Sequence, residues 1–284
     1  MPPPADAIAT LATQLTADAA RVRADARFRA LVPVFTQVIP QTWAALKRAG
    51  MPVDDSGGFS VATYLVVVPF PVTERELTEH CGLMKLASRT RVRALVERLQ
   101  SAGLIEQRRS STDARRLDLQ ATPALRGLYQ RWIGALAGLV EPWSGVDRSA
   151  VDDALVVSYL RVTAKAYEQG YVLYQGFPIV EYFMSRRSGY SLFLELIGRA
   201  DAKGMSSLNR ARFAAEHATS RPHVATLLRE AEQRRWIRRR AKDDVWVAPA
   251  VIEEGLRWIA SEVAWTSYSL RLARNGVVMP PKQS

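Results

Sequence analysis

Clusters of arginine are the groups in this sequence best suited to chemistry, and the chemistry they suit is phosphate binding. The 284-residue chain has 39 Lys and Arg residues against 28 Asp and Glu residues, a formal net charge of +11. Such an excess attracts polyanions, either nucleic acid or an anionic membrane face. Charge runs are usually solvated surface, so the elements around each cluster decide its meaning. The two clusters are Arg108, Arg109, Arg115 and Arg116, and Arg234, Arg235, Arg238, Arg239, Arg240 and Lys242.

Patterns typical of catalysis or metal binding do not occur in the sequence. The three histidines, His80, His217 and His223, lack metal-ligand spacing, and there is no Gly-rich phosphate loop, Ser-His-Asp set or H-E-x-x-H motif. The single cysteine, Cys81, excludes an internal disulfide and a cysteine-based zinc site, and we expect it to be a small buried core residue. We therefore predict a protein that is not an enzyme and has no cofactor.

No segment of the sequence predicts a membrane span. The best apolar run, residues 61–72, is broken by Pro69 and Pro71 and is too short to cross a bilayer. The N-terminal segment carries early aspartates and lacks the basic start, apolar run and cleavage site of a signal peptide. These features favour a cytoplasmic protein that does not associate with membranes.

Helical periodicity dominates the chain, whose length suggests two domains. We expect helices over residues 5–31 and 34–48 and a loop over 54–58. The β-branched, apolar residues 61–68 fit either a strand or a buried helix, and the helical context favours the helix. A fold that is mainly α follows.

The next segment combines a short helix, a turn, a longer helix and a two-stranded ribbon. Thr73 starts a capping box for the short helix, and Ser88 caps the longer helix. Leu104 begins an extended stretch, a basic loop follows, and the chain returns in a second strand at Leu117. Pro123 then starts a long helix.

The same order of elements recurs later in the chain. Residues 220–224 align with residues 88–92, and the apolar stripe of the helix aligns at the same offset. A basic loop, an alternating strand over 245–247 and a long helix from Pro249 follow here too. An internal repeat explains this shared order better than two chance matches.

A short helix, a turn, a longer helix and a basic ribbon form the winged helix-turn-helix plan, whose second helix enters the DNA major groove. We expect two such units, over about 61–123 and 190–249, on a helical scaffold. The units belong to an N-terminal half, 1–145, and a C-terminal half, 146–284, which an internal pseudo-two-fold axis would relate.

The first basic ribbon resembles the wing of the MarR family of transcriptional regulators. An aliphatic pair and basic residues over 104–109 precede Asp113 and Arg115, which match the family's D-x-R motif, and Ala121-Thr122-Pro123 stands where the family has L-T-P. The resemblance implies that Asp113 braces the wing and that Arg115 enters the minor groove. The second ribbon lacks D-x-R, but residues 213–222 have regular helix-turn-helix spacing, whereas the turn over 83–87 in the first unit is longer than usual.

The resemblance implies a sequence-specific transcriptional regulator that binds double-stranded DNA and associates with the nucleoid. Arginine reads guanine bidentately, and Ser, Thr and His contact bases or phosphates. The two longer helices differ in sequence, which predicts an asymmetric DNA site. The candidate DNA-contacting residues are Ser88, Arg89, Thr90, Arg91, Arg93, Arg108, Arg109, Arg115, Arg116, Ser220, Arg221, His223, Arg229, Arg238, Arg239, Arg240 and Lys242.

Family members are usually dimers of subunits half this length, so the chain suggests a fused pseudo-dimer that acts as a monomer. A homodimer with four winged helices is the alternative. The aromatic middle segment is interpreted as helix core and pseudo-dimer interface, or as a pocket for a small-molecule effector. Its aromatic residues are Tyr159, Tyr167, Tyr171, Tyr174, Phe177, Tyr182 and Phe183.

Two other functions fit the same architecture. A plasmid-type replication initiator also carries two winged helices in one chain, and it would bind iterated origin repeats. A winged-helix scaffold would bind protein instead, although the net charge of +11 argues against it.

Overall fold

The computed structural model describes residues 5–53, 56–68, 71–83, 86–109, 115–240 and 243–276. Over these ranges it has twelve α-helices, one 3-10 turn and two small antiparallel sheets. The mainly helical fold expected from the sequence is confirmed. Helices α1–α6 are Ala5–Ala24, Ala26–Arg48, Ser56–Val67, Glu74–Leu83, Arg89–Ser101 and Pro123–Ser144. Helices α7–α12 are Asp153–Glu168, Pro178–Met184, Gly189–Gly198, Arg210–Glu216, Arg221–Gln233 and Pro249–Arg274. Strands β1–β5 are Ile105–Arg109, Leu117–Ala121, Met205–Ser207, Ile237–Arg239 and Asp244–Val247.

The first helix boundary falls at Asp25, so the predicted boundary between 5–31 and 34–48 is wrong. Asp25 has extended backbone, and its carboxylate accepts the backbone N–H of Arg27 at 2.9 Å, which caps α2. The aspartate thus interrupts a helical periodicity that continues on both sides of it.

Helix α3 confirms the buried helix predicted over 61–68, but it begins at Ser56, inside the predicted loop. Residues 54 and 55 of that loop lie outside the described residues. Gly58 lies in this helix at a position whose close packing leaves no room for a side chain. A Cβ there would lie 2.7 Å from the Cβ of Pro52 and 2.9 Å from a methyl carbon of Leu95.

The capping box before α4 is confirmed. The backbone N–H of Thr73 donates to Glu76 Oε2 at 2.6 Å, and the N–H of Glu76 donates to Thr73 Oγ1 at 3.2 Å. The helix extends to Leu83, beyond the end predicted near residue 80, so part of the expected long turn is helix. Cys81 is buried in this extension, as predicted.

Both sheets place a strand from before the helix pair against the return strand of the hairpin. In the first, Val72 makes a single bridge to Leu119 of β2, which pairs with β1. In the second, β3 pairs with β5, and β5 pairs with β4. Strand β3 was not expected from the sequence.

Helices of the two halves pack against each other, and their buried residues form one large hydrophobic core. Helix α2 of the N-terminal half packs on its own α6 and on α9 of the other half. Helix α7 of the C-terminal half packs in the same way on its own α12 and on α3. The two long helices α6 and α12 pack on each other between them.

Two elements break this correspondence within the described ranges. Helix α1 precedes α2 and packs on α12, whereas only a single 3-10 turn, Arg148–Ala150, precedes α7. Helix α8 and residues 169–177 lie between α7 and α9, where the N-terminal half has a short connection. No helix in the described part of the chain is both long and apolar enough to cross a membrane.

Candidate nucleic-acid interface

Helix α5 exposes its basic N-terminal end. Ser88 caps the helix, since its hydroxyl accepts the backbone N–H of Arg91 at 3.3 Å. The apolar stripe, Val92, Leu95, Val96 and Leu99, is buried in the core. The polar residues of the first turns therefore project on the other side, at the positive end of the helix dipole. Five predicted site residues are exposed here: Ser88, Arg89, Thr90, Arg91 and Arg93.

Helix α11 has the same cap but a more enclosed first turn. The hydroxyl of Ser220 accepts the backbone N–H of His223 at 3.2 Å. His223 is half-buried, and its Nε2 lies 2.8 Å from the carbonyl oxygen of Arg187, so one ring nitrogen is engaged inside the protein. Arg221 and Arg229 are exposed. The two helices thus present different groups to a partner.

The first hairpin, β1–β2, carries exposed arginines, and a further arginine, Arg116, holds it to α4. Arg108 and Arg109 are exposed on β1, and Arg108 pairs with Glu106 at 2.9 Å. Arg116 instead donates to Asp118 at 2.6 Å and lies 3.3 Å from Glu76 on α4. This placement gives Arg116 a structural role in holding the hairpin to α4.

The D-x-R motif is only partly visible in the described residues. Arg115 is exposed beside the first hairpin. Asp113 lies in the stretch 110–114, outside the described residues, so the bracing role implied for it stays a prediction.

The second hairpin, β4–β5, is anchored to α11 by an ion pair. Arg239 donates from Nη2 to Glu232 Oε2 at 2.5 Å, and its backbone N–H donates to Oε1 at 3.0 Å. These hydrogen bonds hold the pKa of Glu232 below its usual value. The guanidinium of Arg238 lies 5.5 Å from the Trp246 ring centroid. Arg240 is exposed, and Lys242 lies outside the described residues.

A cluster beside α11 was missed by sequence reasoning. The ring of Tyr182 on α8 has the guanidinium of Arg186 at 4.8 Å and that of Arg234 at 4.5 Å from its centroid. The Tyr182 hydroxyl donates to Glu230 of α11, and this bond is the first cause of a lowered Glu230 pKa. The consecutive pair Arg186-Arg187 before α9 was the available signal. We call Tyr182, Arg186, Arg234 and Glu230 the arginine–tyrosine cluster.

A cavity of about 320 Å³ lies where the halves meet, and we call it the inter-half cavity. Its aromatic walls come from both halves: Trp43, Phe59 and Trp132 on one side, and Tyr190 on the other. Lys47 lines the cavity and donates to the carbonyl oxygen of His217, after α10, at 2.9 Å.

A titratable carboxyl lies behind this cavity. The Tyr190 hydroxyl hydrogen-bonds to Glu262 of α12 and accepts the indole N–H of Trp258 at 3.0 Å. Burial raises the pKa of Glu262 to about 7. The aromatic segment is therefore partly core, with Tyr159 and Phe183 buried, and partly the surroundings of cavities.

Glu195, Glu216 and His217 bring potential ligand atoms within 4.8 Å of one another. Arg199 pairs with Glu195 at 2.8 Å, and Arg212 lies 3.6 Å from Glu216. Because guanidinium groups already neutralise both carboxylates, this group is better suited to an ion-pair network than to a cation.

Comparison of the chain with known protein families, curated proteins and solved structures gave no significant match. The resemblance to MarR regulators thus rests on the residues of the first wing.

Proposed function

We propose that the protein is a sequence-specific regulator of transcription that binds double-stranded DNA through two winged helix-turn-helix units. Helices α5 and α11 act as recognition helices, and the hairpins β1–β2 and β4–β5 act as wings. The proposal rests on one observation, that a structural unit with exposed arginines occurs twice in the chain. The same helix pair and hairpin occur twice, each with exposed arginines at the start of the second helix and on the hairpin.

The contacts that α2 and α7 make with the opposite half support a fused pseudo-dimer. Helices α2 and α7 make corresponding contacts across the halves, and α6 packs on α12 along the shared core. A two-fold axis through the α6–α12 contact explains this correspondence. One chain then holds both DNA-reading units at a fixed spacing, so we expect a monomer in solution, measurable by light scattering.

Each unit divides specificity and affinity between its two parts. Arg91 of α5 and Arg221 of α11 would reach base edges in successive major grooves, where a guanidinium binds guanine with two hydrogen bonds. The hairpin arginines would contact phosphates, which add affinity and salt dependence without reading sequence. Because the residues of the two helices differ, the half-sites of the target are unlike.

The inter-half cavity is the proposed site of a small-molecule effector. Its aromatic walls suit a planar apolar body, and Lys47 suits an anionic substituent. A ligand there touches both halves and the residues that follow α10, so it would change the spacing of the recognition helices.

Selection from sheared genomic DNA at near-physiological salt tests the function. The purified chain should retain a few promoter fragments that share an asymmetric motif. One cluster of iterated repeats would indicate a replication initiator instead. Retention that has no sequence preference and is lost as salt rises would refute the proposal, and protein partners would then be sought.

Single substitutions then test which helix reads which half-site. We expect Arg91→Ala to cost about 1–3 kcal/mol of binding and relax selectivity at one half-site, and Arg221→Ala to do so at the other. Arg126→Ala is the matched control. Arg126 lies on α6, outside the proposed recognition helices and wings, and pairs with Asp153 at 3.4 Å. Equal loss on all DNA sequences would limit these arginines to phosphate contact.

A further inference from the structure

Two segments without a counterpart in the other half, α1 and residues 170–177, line a second cavity together with α12. Helix α1, residues 170–177 before α8, and helix α12 surround a space of about 660 Å³. We call this the α1 cavity. It shares no lining residue with the inter-half cavity, and its volume lies in the range of small-molecule sites.

Small side chains keep the α1 cavity open. Ala12, Thr16, Ala19 and Ala20 lie on one face of α1 and line the space, with Ala260 opposite on α12. The neighbouring face of α1 is closely packed: Leu11 and Leu15 join Trp265 in a small separate core. Helix α1 is therefore held firmly along one edge, while the other edge leaves a mostly apolar gap.

Two arginines lie at this mostly apolar gap. Arg23 of α1 pairs with Glu253 of α12 at 2.6 Å. Arg257, one turn after Glu253, is exposed, and its guanidinium lies 5.3 Å from the Phe177 ring centroid. The three charged groups sum to one positive charge. Tyr171 also lines the cavity and stacks on Trp265, with ring centroids 5.0 Å apart.

We propose that the α1 cavity binds an apolar molecule that carries one anionic head group, such as a medium-chain carboxylate. The apolar body lies between the small residues of α1 and α12. The head group pairs with Arg257 and shares Arg23 with Glu253, because a guanidinium offers donors to two carboxylates.

The α1 cavity is connected to α11 through α8. Phe177 lines the cavity and directly precedes α8. Glu254 of α12 accepts the backbone N–H groups of Ile179 and Val180 at 2.7 and 3.1 Å. Farther along α8, Tyr182 bonds to Glu230 of α11. A ligand that displaces residues 170–177 therefore changes the support of α11, and this regulatory consequence rests on the proposed DNA-binding function.

Calorimetric titration of the full chain with decanoate, below its micelle concentration, tests the site without DNA. We expect saturable one-to-one binding, about tenfold weaker in Arg257→Gln, which loses the charged hydrogen bond. Arg29→Gln, on the exposed surface of α2, is the control of equal charge. Ala20→Trp should fill the cavity and abolish binding, whereas Gln14→Trp on the exposed face of α1 should bind normally. Decanol should bind more weakly than decanoate.

Absence of saturable binding, or equal binding by Ala20→Trp and the parent chain, would overturn the proposed site. DNA affinity measured with and without decanoate is the second readout. Decanoate binding with no effect on an established DNA affinity would overturn the link to α11. Decanoate binding by a chain that selects no DNA would refute the proposed function and leave the site standing.

Discussion

Glu262 gives the sharpest quantitative prediction of the structure. Its part-buried carboxyl is hydrogen-bonded to the hydroxyl of Tyr190, which lines the inter-half cavity, and burial raises its pKa from 4.5 to about 7. In the unfolded chain the carboxyl ionises at its ordinary pKa. The folded state therefore binds more protons between these two values, and its stability falls as pH rises through that window.

The shift corresponds to about 3 kcal/mol of unfolding free energy, present in full below the unfolded pKa and lost as pH rises through about 7. Gln at position 262 keeps a hydrogen-bonding partner for Tyr190 and cannot ionise. We therefore expect Glu262→Gln to gain stability over the parent as pH rises, with most of the gain between about pH 5 and pH 7.5.

Urea unfolding of both proteins, followed by tryptophan fluorescence at closely spaced pH values, measures this gain. The difference between the proteins is needed because His80 also contributes to the pH dependence of stability. Burial lowers the His80 pKa, which makes stability rise with pH. A constant difference between Glu262→Gln and the parent would refute the reasoning.

Other predictions concern packing and salt. Gly198→Ala should destabilise the fold by about 2 kcal/mol, because its Cβ would fall 2.1 Å from Thr36 Oγ1 where α9 meets α2. Gly127→Ala on α6 has its nearest atom at 3.6 Å and should stabilise by about 0.5–1 kcal/mol; chemical denaturation compares the two. Replacing Arg108 and Arg109 with Gln should reduce the slope of log affinity against log salt by about 2, as measured by fluorescence anisotropy on DNA. An unchanged slope would show that Arg108 and Arg109 of the first hairpin do not contact DNA phosphates.

The local elements of the fold were largely predictable because short-range signals specify them. The caps at Thr73 and Ser88 are formed as the sequence indicated. The position of Asp25 was misread because helical periodicity continues across it, and only the side-chain hydrogen bond identifies the break. Strand β3 has three residues, too few for an alternation pattern, so its pairing with β5 could not be read from the sequence.

The candidate site was predictable as a set of exposed basic residues but not as a network. Sequence position alone makes Arg116 and Arg109 equivalent members of one cluster. The structure separates them, because Arg116 pairs with Asp118 on β2 and with Glu76 on α4, whereas Arg109 is exposed on β1. The arginine–tyrosine cluster was missed because it joins α8, α11 and the following turn, and such contacts depend on tertiary packing rather than on spacing.

The proposed fusion of two related halves accounts for the asymmetry of the chain. In a homodimer every substitution appears in both subunits, so added elements and changed recognition residues come in pairs. Here α1 and α8 are each present once in the described ranges, and the α1 cavity is lined by α1 and by the segment that directly precedes α8. The contrast between exposed Arg91 on α5 and half-buried His223 on α11 has the same origin. In the proposed fused pseudo-dimer, residues of both halves form one ligand site that has no second copy, while both units keep their proposed DNA contacts. An unlike pair of half-sites and a single α1 cavity are therefore expected together.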